Sequence, residues 1–265
     1  MPEFRLGDSL TQEQRDFLDT AGFIRFRQFL SKSELEGIVA EVEDIDARLI
    51  RDGVTHKFGI PLLIGPRGDG RPYVQRMCFA SLFGEKLSAL LKDPRWKPIL
   101  EVAGPDYRIG ERERDGLVIN HYRNEEGSTF KRQGWHTDSL RDVFYGEKPR
   151  RYLNVGVYLD DSPVSKGGVR LLPFSHEQTT WNLLTRKKYY LDTEADPGEY
   201  AIEAEAGDLT IHDGRIWHRV AQATSFGEES QRRVMYVPLM NGPKVEKNEQ
   251  SKTPFYFHFR KLATF

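Results

Sequence analysis

The stretch Tyr152-Leu153-Asn154-Val155-Gly156-Val157-Tyr158-Leu159 decides the fold class, because it is a short run of β-branched and aromatic residues that a turn sequence follows. Similar short runs occupy residues 117–122, 169–173, 208–211 and 233–239. Several short strands separated by turn residues indicate a sandwich or barrel rather than a parallel α/β sheet. We therefore expect a mainly β protein.

The N-terminal part of the chain has a helical pattern instead. Capping-box sequences at residues 11–14 and 31–34 predict two helix starts, and apolar residues recur at helical spacing after the second box. Residues 23–29 partly alternate as a strand would, and residues 85–91 predict a third helix that ends before Pro94. Residues 52–72, rich in Gly, Pro and charge, are predicted to be a long loop. Helices followed by strands indicate helices packed on one face of a double-sheet roll.

Bulk composition excludes several functional classes. The 265 residues carry a net charge of −1, which gives no reason to expect a nucleic-acid partner. The single cysteine, Cys78, cannot form an intramolecular disulfide, and we expect it to be a small buried residue in a protein from a reducing compartment. No apolar stretch approaches the length of a membrane span, and the first residues lack a signal-like apolar run. We expect a cytoplasmic protein with no membrane partner.

His136 and Asp138 form the first candidate metal-binding pair. On an extended strand, residues i and i+2 point to the same face, so an imidazole and a carboxylate can hold two corners of one ion. A second imidazole, from His218 or from His212 six residues earlier, completes a face of two histidines and one carboxylate. That face leaves about three coordination positions open, which suits non-haem Fe(II) and O2 chemistry. The H-x-D spacing alone also occurs by chance.

Arg232 gives this metal face a possible co-substrate. 2-Oxoglutarate can chelate a metal through its 2-oxo acid, and its far carboxylate then needs a fixed positive partner. A guanidinium offers a planar, bidentate fork for that carboxylate. Arg233 is the alternative, and strand alternation favours only one of the two pointing inward.

A family resemblance follows from these motifs taken in order. His136-Thr137-Asp138, residues 159–176, residues 207–218 and Arg232 resemble the phytanoyl-CoA dioxygenase family. The resemblance implies a jelly-roll (double-stranded β-helix, cupin-like) core, Fe(II), 2-oxoglutarate and O2. It also implies oxidation of a substrate C–H bond, usually hydroxylation, with release of succinate and CO2. We accordingly predict one domain over residues 1–265, with a mostly helical flank at 1–110 containing one or two strands and a jelly-roll core at 116–240.

The resemblance also assigns site residues. It places His136, Asp138 and His218 as the iron ligands, Arg232 on the distal carboxylate of 2-oxoglutarate, and Asn120 at a polar co-substrate contact. His218 is favoured over His212 because it follows a tryptophan and fits the family position. The presence of Asp138 disfavours halogenation, which some relatives perform after losing this carboxylate.

Three positions depart from the family pattern. Val220 stands where relatives often carry a serine hydroxyl that helps to hold 2-oxoglutarate, and Gly156 stands where relatives often have an aromatic residue. Residues 227–230 lengthen the interval between His218 and Arg232. These departures predict a co-substrate pocket that differs in detail from those of relatives.

The expected substrate is a small molecule, either an amino-acid derivative or a secondary-metabolite intermediate, and the expected assembly is a monomer or a homodimer. Loop arginines could bind an anionic group on it, among them Arg67, Arg71, Arg76 and Arg141. Trp181, Tyr189 and Tyr190 could be packing residues or a lid. Two alternatives stay open at this point: a zinc-dependent hydrolase that uses the same His/Asp/His face, and a non-catalytic jelly-roll binding protein.

Overall fold

Two capped helices begin the structure, a computed structural model that describes residues 2–128, 131–140 and 151–254. The Thr11 and Ser31 side chains accept hydrogen bonds from the backbone N–H groups of Gln14 and Glu34, so both predicted capping boxes are confirmed. The helix predicted over residues 85–91 is also present. The helices are α1 (Gln12–Ala21), α2 (Lys32–Arg51), α3 (Glu85–Leu91), α4 (Lys97–Ala103) and α5 (Thr180–Thr185).

The described residues also form fifteen short strands. The first six are β1 (Phe23–Phe26), β2 (His56–Lys57), β3 (Ile60–Pro61), β4 (Leu63–Pro66), β5 (Pro72–Met77) and β6 (Arg108–Ile109). The others are β7 (Val118–Tyr122), β8 (Gln133–His136), β9 (Leu153–Tyr158), β10 (Gly168–Leu171), β11 (Tyr200–Ala201), β12 (Leu209–Asp213), β13 (His218–Ala221), β14 (Arg232–Val237) and β15 (Leu239–Met240).

Two antiparallel sheets form the core. One has seven strands in the order β1-β12-β9-β14-β7-β5-β4, and the other has four in the order β11-β10-β13-β8. Strands that follow one another along the chain thus alternate between the sheets, as β7, β8, β9 and β10 do. The mainly β class and the jelly-roll architecture are confirmed.

Alternation along the seven-stranded sheet separates its two faces. Val155, Val157, Ile211 and Met235 belong to a large apolar core that also contains the buried side of α2, so the helices cover this outer face. Tyr158 and Val234, from the intervening positions, pack with Val169 and Leu171 of the four-stranded sheet. Inner-face residues therefore line the space between the sheets, where the predicted site residues lie.

The flank differs from the prediction. The predicted loop at residues 52–72 contains β2, β3 and β4, and residues 1–110 hold six short strands where one or two were expected. Their pairing explains the error: β2 and β3 pair with each other and β4 pairs with β5, so partners outside each run supply the order that two to four residues cannot. Of the helices described, none combines the length and the apolar character needed to cross a bilayer.

Candidate active site

His136 and His218 are brought together by strand pairing. They are register partners between β8 and β13, and their ring centroids lie 4.1 Å apart. The Nδ1 of His136 lies 2.8 Å from the Gly134 carbonyl oxygen, and the Nδ1 of His218 lies 3.1 Å from that of Ile216. If each Nδ1–H donates to its carbonyl, each Nε2 keeps a lone pair for a metal. Both imidazoles are buried and oriented as metal ligands need to be.

Asp138 reaches the same point from a turn. β8 ends at His136, so the expectation that both residues of the pair lie on one extended strand was wrong. The backbone N–H groups of Asp138 and Ser139 both donate to the Gly214 carbonyl, at 2.8 and 3.1 Å. A Cβ on Gly214 would lie 2.7 Å from Tyr152 Cδ1 and 3.3 Å from Asp138 Cβ, so only glycine fits here. These two hydrogen bonds between distant loops position the Asp138 carboxylate.

Ligand atoms of His136, Asp138 and His218 all lie within 4.8 Å of one another. Burial, together with the neighbouring His218, lowers the pKa of His136 to about 3. Burial alone would raise the pKa of Asp138, but the charges of His218 and His136 outweigh it and lower that pKa. The set is therefore a neutral imidazole beside an ionised carboxylate, which is the protonation that metal binding requires.

Asn154 holds the carboxylate from the other sheet. Its Nδ2 donates to Asp138 Oδ2 at 3.0 Å, from the inner face of β9. The sequence prediction missed this residue. A single amide in an otherwise apolar strand, Leu153 to Tyr158, was the signal that could have found it.

His212 also lies close to the carboxylate, and its ring centroid is 4.8 Å from that of His218. It lies on β12 in the seven-stranded sheet, with Nε2 4.0 Å from Asp138 Oδ2, almost the 3.9 Å that separates His218 Nε2 from the same oxygen. It is not one of the three residues whose ligand atoms converge. Its Nε2 is buried and has no hydrogen-bond partner among the described residues.

Arg232 and Arg233 point to opposite faces of β14. Arg232 faces inward: its Nε donates to the Lys166 carbonyl at 3.2 Å, and its Cζ lies 4.1 Å from the Tyr122 ring centroid. Its Nη1 is buried without a partner in the described chain. Arg233 faces outward and is held by Asp160 at 2.7 Å and Glu43 at 3.0 Å. A buried guanidinium with an unpaired nitrogen fits an absent carboxylate, so the inner arginine suits 2-oxoglutarate.

Asn120 lies on the same inner face, two residues before Tyr122 on β7. Its Nδ2 donates to the Tyr122 hydroxyl at 3.4 Å, and its Oδ1 is buried with no partner within the described residues. Val220 contacts Tyr122 and Leu63, so the position that carries a hydroxyl in relatives contributes an apolar wall.

Aromatic side chains pack around His136 and His218. The Tyr190 ring stacks on His136 with centroids 4.9 Å apart, and Tyr189 packs on Trp217 at 4.6 Å. The Tyr189 hydroxyl also bonds Thr137 at 2.8 Å, between His136 and Asp138 in the chain. Both tyrosines thus pack against the site, whereas Trp181 is 72% exposed.

The arginines that were predicted to bind substrate differ in burial and in their ion-pair partners. Arg76 is buried on β5 and pairs with Asp115 at 2.6 Å, whereas Arg71 is exposed and pairs with Asp69. Arg67 lies 3.8 Å from Asp46. Arg141 lies outside the described residues, so its role stays a prediction.

The prediction that Cys78 is a buried residue is confirmed, and His176 makes a structural contact. Cys78 is a free, buried thiol, and burial raises its pKa to about 12. His176 hydrogen-bonds through Nε2 to the Asp19 carbonyl at 2.8 Å, a structural contact with α1.

Comparisons with known proteins agree with this geometry. The family model of phytanoyl-CoA dioxygenase (PhyH) matches residues 18–232. A probable alpha-ketoglutarate-dependent hypophosphite dioxygenase of Stutzerimonas stutzeri is 22% identical over 222 residues, which cover 78% of this chain and 71% of that protein.

Solved structures share the fold. HygX from Streptomyces hygroscopicus, with nickel and 2-oxoglutarate bound, is 19% identical, with a TM-score of 0.60 over 87% of this chain and 88% of its own. The epimerase SnoN, in complex with Fe3+, alpha ketoglutarate and nogalamycin RO, is 18% identical, with a TM-score of 0.57 over 92% of this chain and 94% of its own. Because the family match spans most of the sequence, including His136, Asp138 and His218, the chain belongs to the phytanoyl-CoA dioxygenase family of non-haem iron, 2-oxoglutarate-dependent dioxygenases.

Proposed function

We propose that this dioxygenase hydroxylates an unactivated C–H bond of a small molecule, with His136, Asp138 and His218 as its iron ligands. The observation that carries the proposal is the convergence of these three side chains within 4.8 Å, with each histidine Nδ1 beside a backbone carbonyl. The same donor set leaves positions open for a chelating co-substrate and for O2.

Each residue around the ligands has a task in this proposal. Asn154 fixes the Asp138 carboxylate through its hydrogen bond, so that one oxygen stays directed at the metal. Arg232 binds the distal carboxylate of 2-oxoglutarate with the nitrogen that has no partner in the protein. Asn120 offers a second polar contact on the same face. Trp135, Tyr189 and Trp217 form an apolar cluster beside the site that limits the access of water.

Iron, when bound, supplies O2 activation coupled to decarboxylation of 2-oxoglutarate to succinate and CO2, and thereby oxidises the substrate. The chain itself supplies the ligands, the co-substrate clamp and a dry, shaped space. Because Asp138 keeps the carboxylate ligand, hydroxylation is favoured over halogenation. Amino-acid derivatives and secondary-metabolite intermediates are the substrate classes that we propose, and structural neighbours such as SnoN also act on small molecules.

An anaerobic titration tests the proposal. The purified protein is mixed with Fe(II) and 2-oxoglutarate, and the expected result is a weak visible charge-transfer band from the bound 2-oxo acid. Succinate release is then measured across a metabolite library to find the substrate. A protein that binds zinc instead and gives no band with Fe(II) would contradict the proposal and favour a hydrolase.

A further inference from the structure

Gly156 and Tyr236 are register partners on the inner face, between the metal-binding residues and Arg232. On β9, Asn154 holds Asp138, Gly156 comes next on the same face, and Tyr158 follows it. Gly156 pairs with Tyr236 of β14, and Arg232 lies on the same face of that strand four residues earlier. A co-substrate that spans from the metal to Arg232 must pass this pair.

The space above Gly156 is already occupied. A Cβ at this position would lie 3.4 Å from Tyr236 Cε1, 3.4 Å from Thr210 Oγ1 and 3.3 Å from Val234 Cγ1. A large side chain at residue 156 would therefore clash with the tyrosine ring. The aromatic surface missing from β9 is supplied by β14.

The Tyr236 phenol is a suitable hydrogen-bond donor. It has no hydrogen bond to another described residue, unlike Tyr158, whose hydroxyl bonds Thr210. Burial raises the pKa of Tyr236 well above its ordinary value, and the neighbouring Tyr122 and Tyr158 raise it further, so the phenol keeps its proton.

We propose that Tyr236 is a 2-oxoglutarate-binding residue of this chain: it fills the space left by Gly156, and its hydroxyl donates to the distal carboxylate beside Arg232. It thereby replaces the hydroxyl that is absent at Val220. This inference rests on the proposed 2-oxoglutarate site, and it adds a contact that sequence reasoning did not identify.

Binding of two matched probes to the Fe(II)-loaded protein tests the proposal. 2-Oxopentanoate has the chain length of 2-oxoglutarate but a methyl group in place of the distal carboxylate. In Tyr236→Phe, the Kd for 2-oxoglutarate should rise about tenfold, the effect of losing one hydrogen bond to a charged group. The Kd for 2-oxopentanoate and the Kd for Fe(II) should not change. Calorimetry and the visible charge-transfer band, both anaerobic, give these constants without turnover.

Tyr158→Phe is the matched control, since its hydroxyl already has Thr210 as a partner and should contribute less to 2-oxoglutarate binding. An unchanged Kd for 2-oxoglutarate in Tyr236→Phe, or equal weakening in both variants or with both probes, would overturn the role of Tyr236. Failure of the wild-type protein to bind 2-oxoglutarate would instead refute the proposed function.

Discussion

The two faces of the seven-stranded sheet treat neighbouring residues in opposite ways. On the outer face, Arg233 is held by Asp160 and Glu43, beneath helix α2. On the inner face, the neighbouring Arg232 keeps a buried Nη1 without a partner among the described residues. Buried polar groups are normally satisfied within the protein, because leaving one unpaired costs about 1–3 kcal/mol. The difference between the two arginines teaches that the outer charge stabilises the fold, whereas the inner charge fits a ligand.

The largest expected effect is on Fe(II) affinity, and it distinguishes Asp138 from His212 as a metal ligand. Asp138→Ala removes the anionic ligand, so Fe(II) affinity should fall by about 100-fold or more, since loss of an outer partner alone costs 10–100-fold. His212→Ala, on the other sheet, should lower Fe(II) affinity less than tenfold. Anaerobic Fe(II) titration of both variants measures this. Equal losses in the two variants would make His212 a ligand and break the contrast between the sheets.

The two arginines offer the next contrast. Arg232→Met should raise the Kd for 2-oxoglutarate at least about 30-fold, the effect of removing one partner of a buried charge pair, ~2 kcal/mol or more. Arg233→Met should leave this Kd unchanged but lower the free energy of unfolding by about 3 kcal/mol, because Asp160 loses its partner. Calorimetry and urea unfolding give the two quantities. The reverse result would mean that Arg233 is the co-substrate arginine.

Lowering the pH should destabilise the fold through His121, which lies on the outer face. Burial, reinforced by Arg233, lowers the pKa of His121 to about 3, so the folded protein holds it neutral. Below its ordinary pKa of about 6.5 the unfolded chain binds a proton that the folded chain does not. The His121 contribution to stability is therefore present above pH 6.5 and is lost as the pH falls towards 3, by about 1.4 kcal/mol per pH unit.

Urea unfolding of the metal-free protein at several pH values checks this slope. His121→Phe, which cannot bind a proton, should show a slope that is shallower by that amount. An identical slope in both proteins would show that His121 is protonated in the fold.

The smallest expected effect concerns Asn154. Asn154→Ala keeps the ligands but removes the hydrogen bond to Asp138 Oδ2, so Fe(II) affinity should fall about tenfold. Asn120→Ala, on the same face but without a bond to Asp138, is the control and should leave Fe(II) affinity unchanged. A loss of more than 100-fold in Asn154→Ala would mean that Asn154 is itself a ligand.

Local chemistry explains which parts of the fold could be predicted. The two capping boxes and the Pro94 stop are short-range signals, and they placed the starts of α1 and α2 and the end of α3 correctly. The strands of the core could also be predicted, because runs of apolar residues are a short-range signal. The strands between residues 56 and 66 were missed, because runs of two to four residues are too short to show alternation. β2 and β3 pair with each other across a tight turn, and β4 pairs with β5.

By itself, the sequence determined the class of chemistry: His136, Asp138, His218 and Arg232 stand in family order, and alternation required one of Arg232 and Arg233 to face inward. Only the tertiary structure decided which one, because the facing of a strand depends on its register with β7 and β9. The tertiary structure also decided that His212 and His218 lie on different sheets. It brought the backbone of Asp138 into hydrogen-bond contact with Gly214, and it packed the Tyr236 ring against Gly156. The Asp138–Gly214 and Gly156–Tyr236 contacts join residues far apart in the chain, and packing brings them together where local spacing gives no signal.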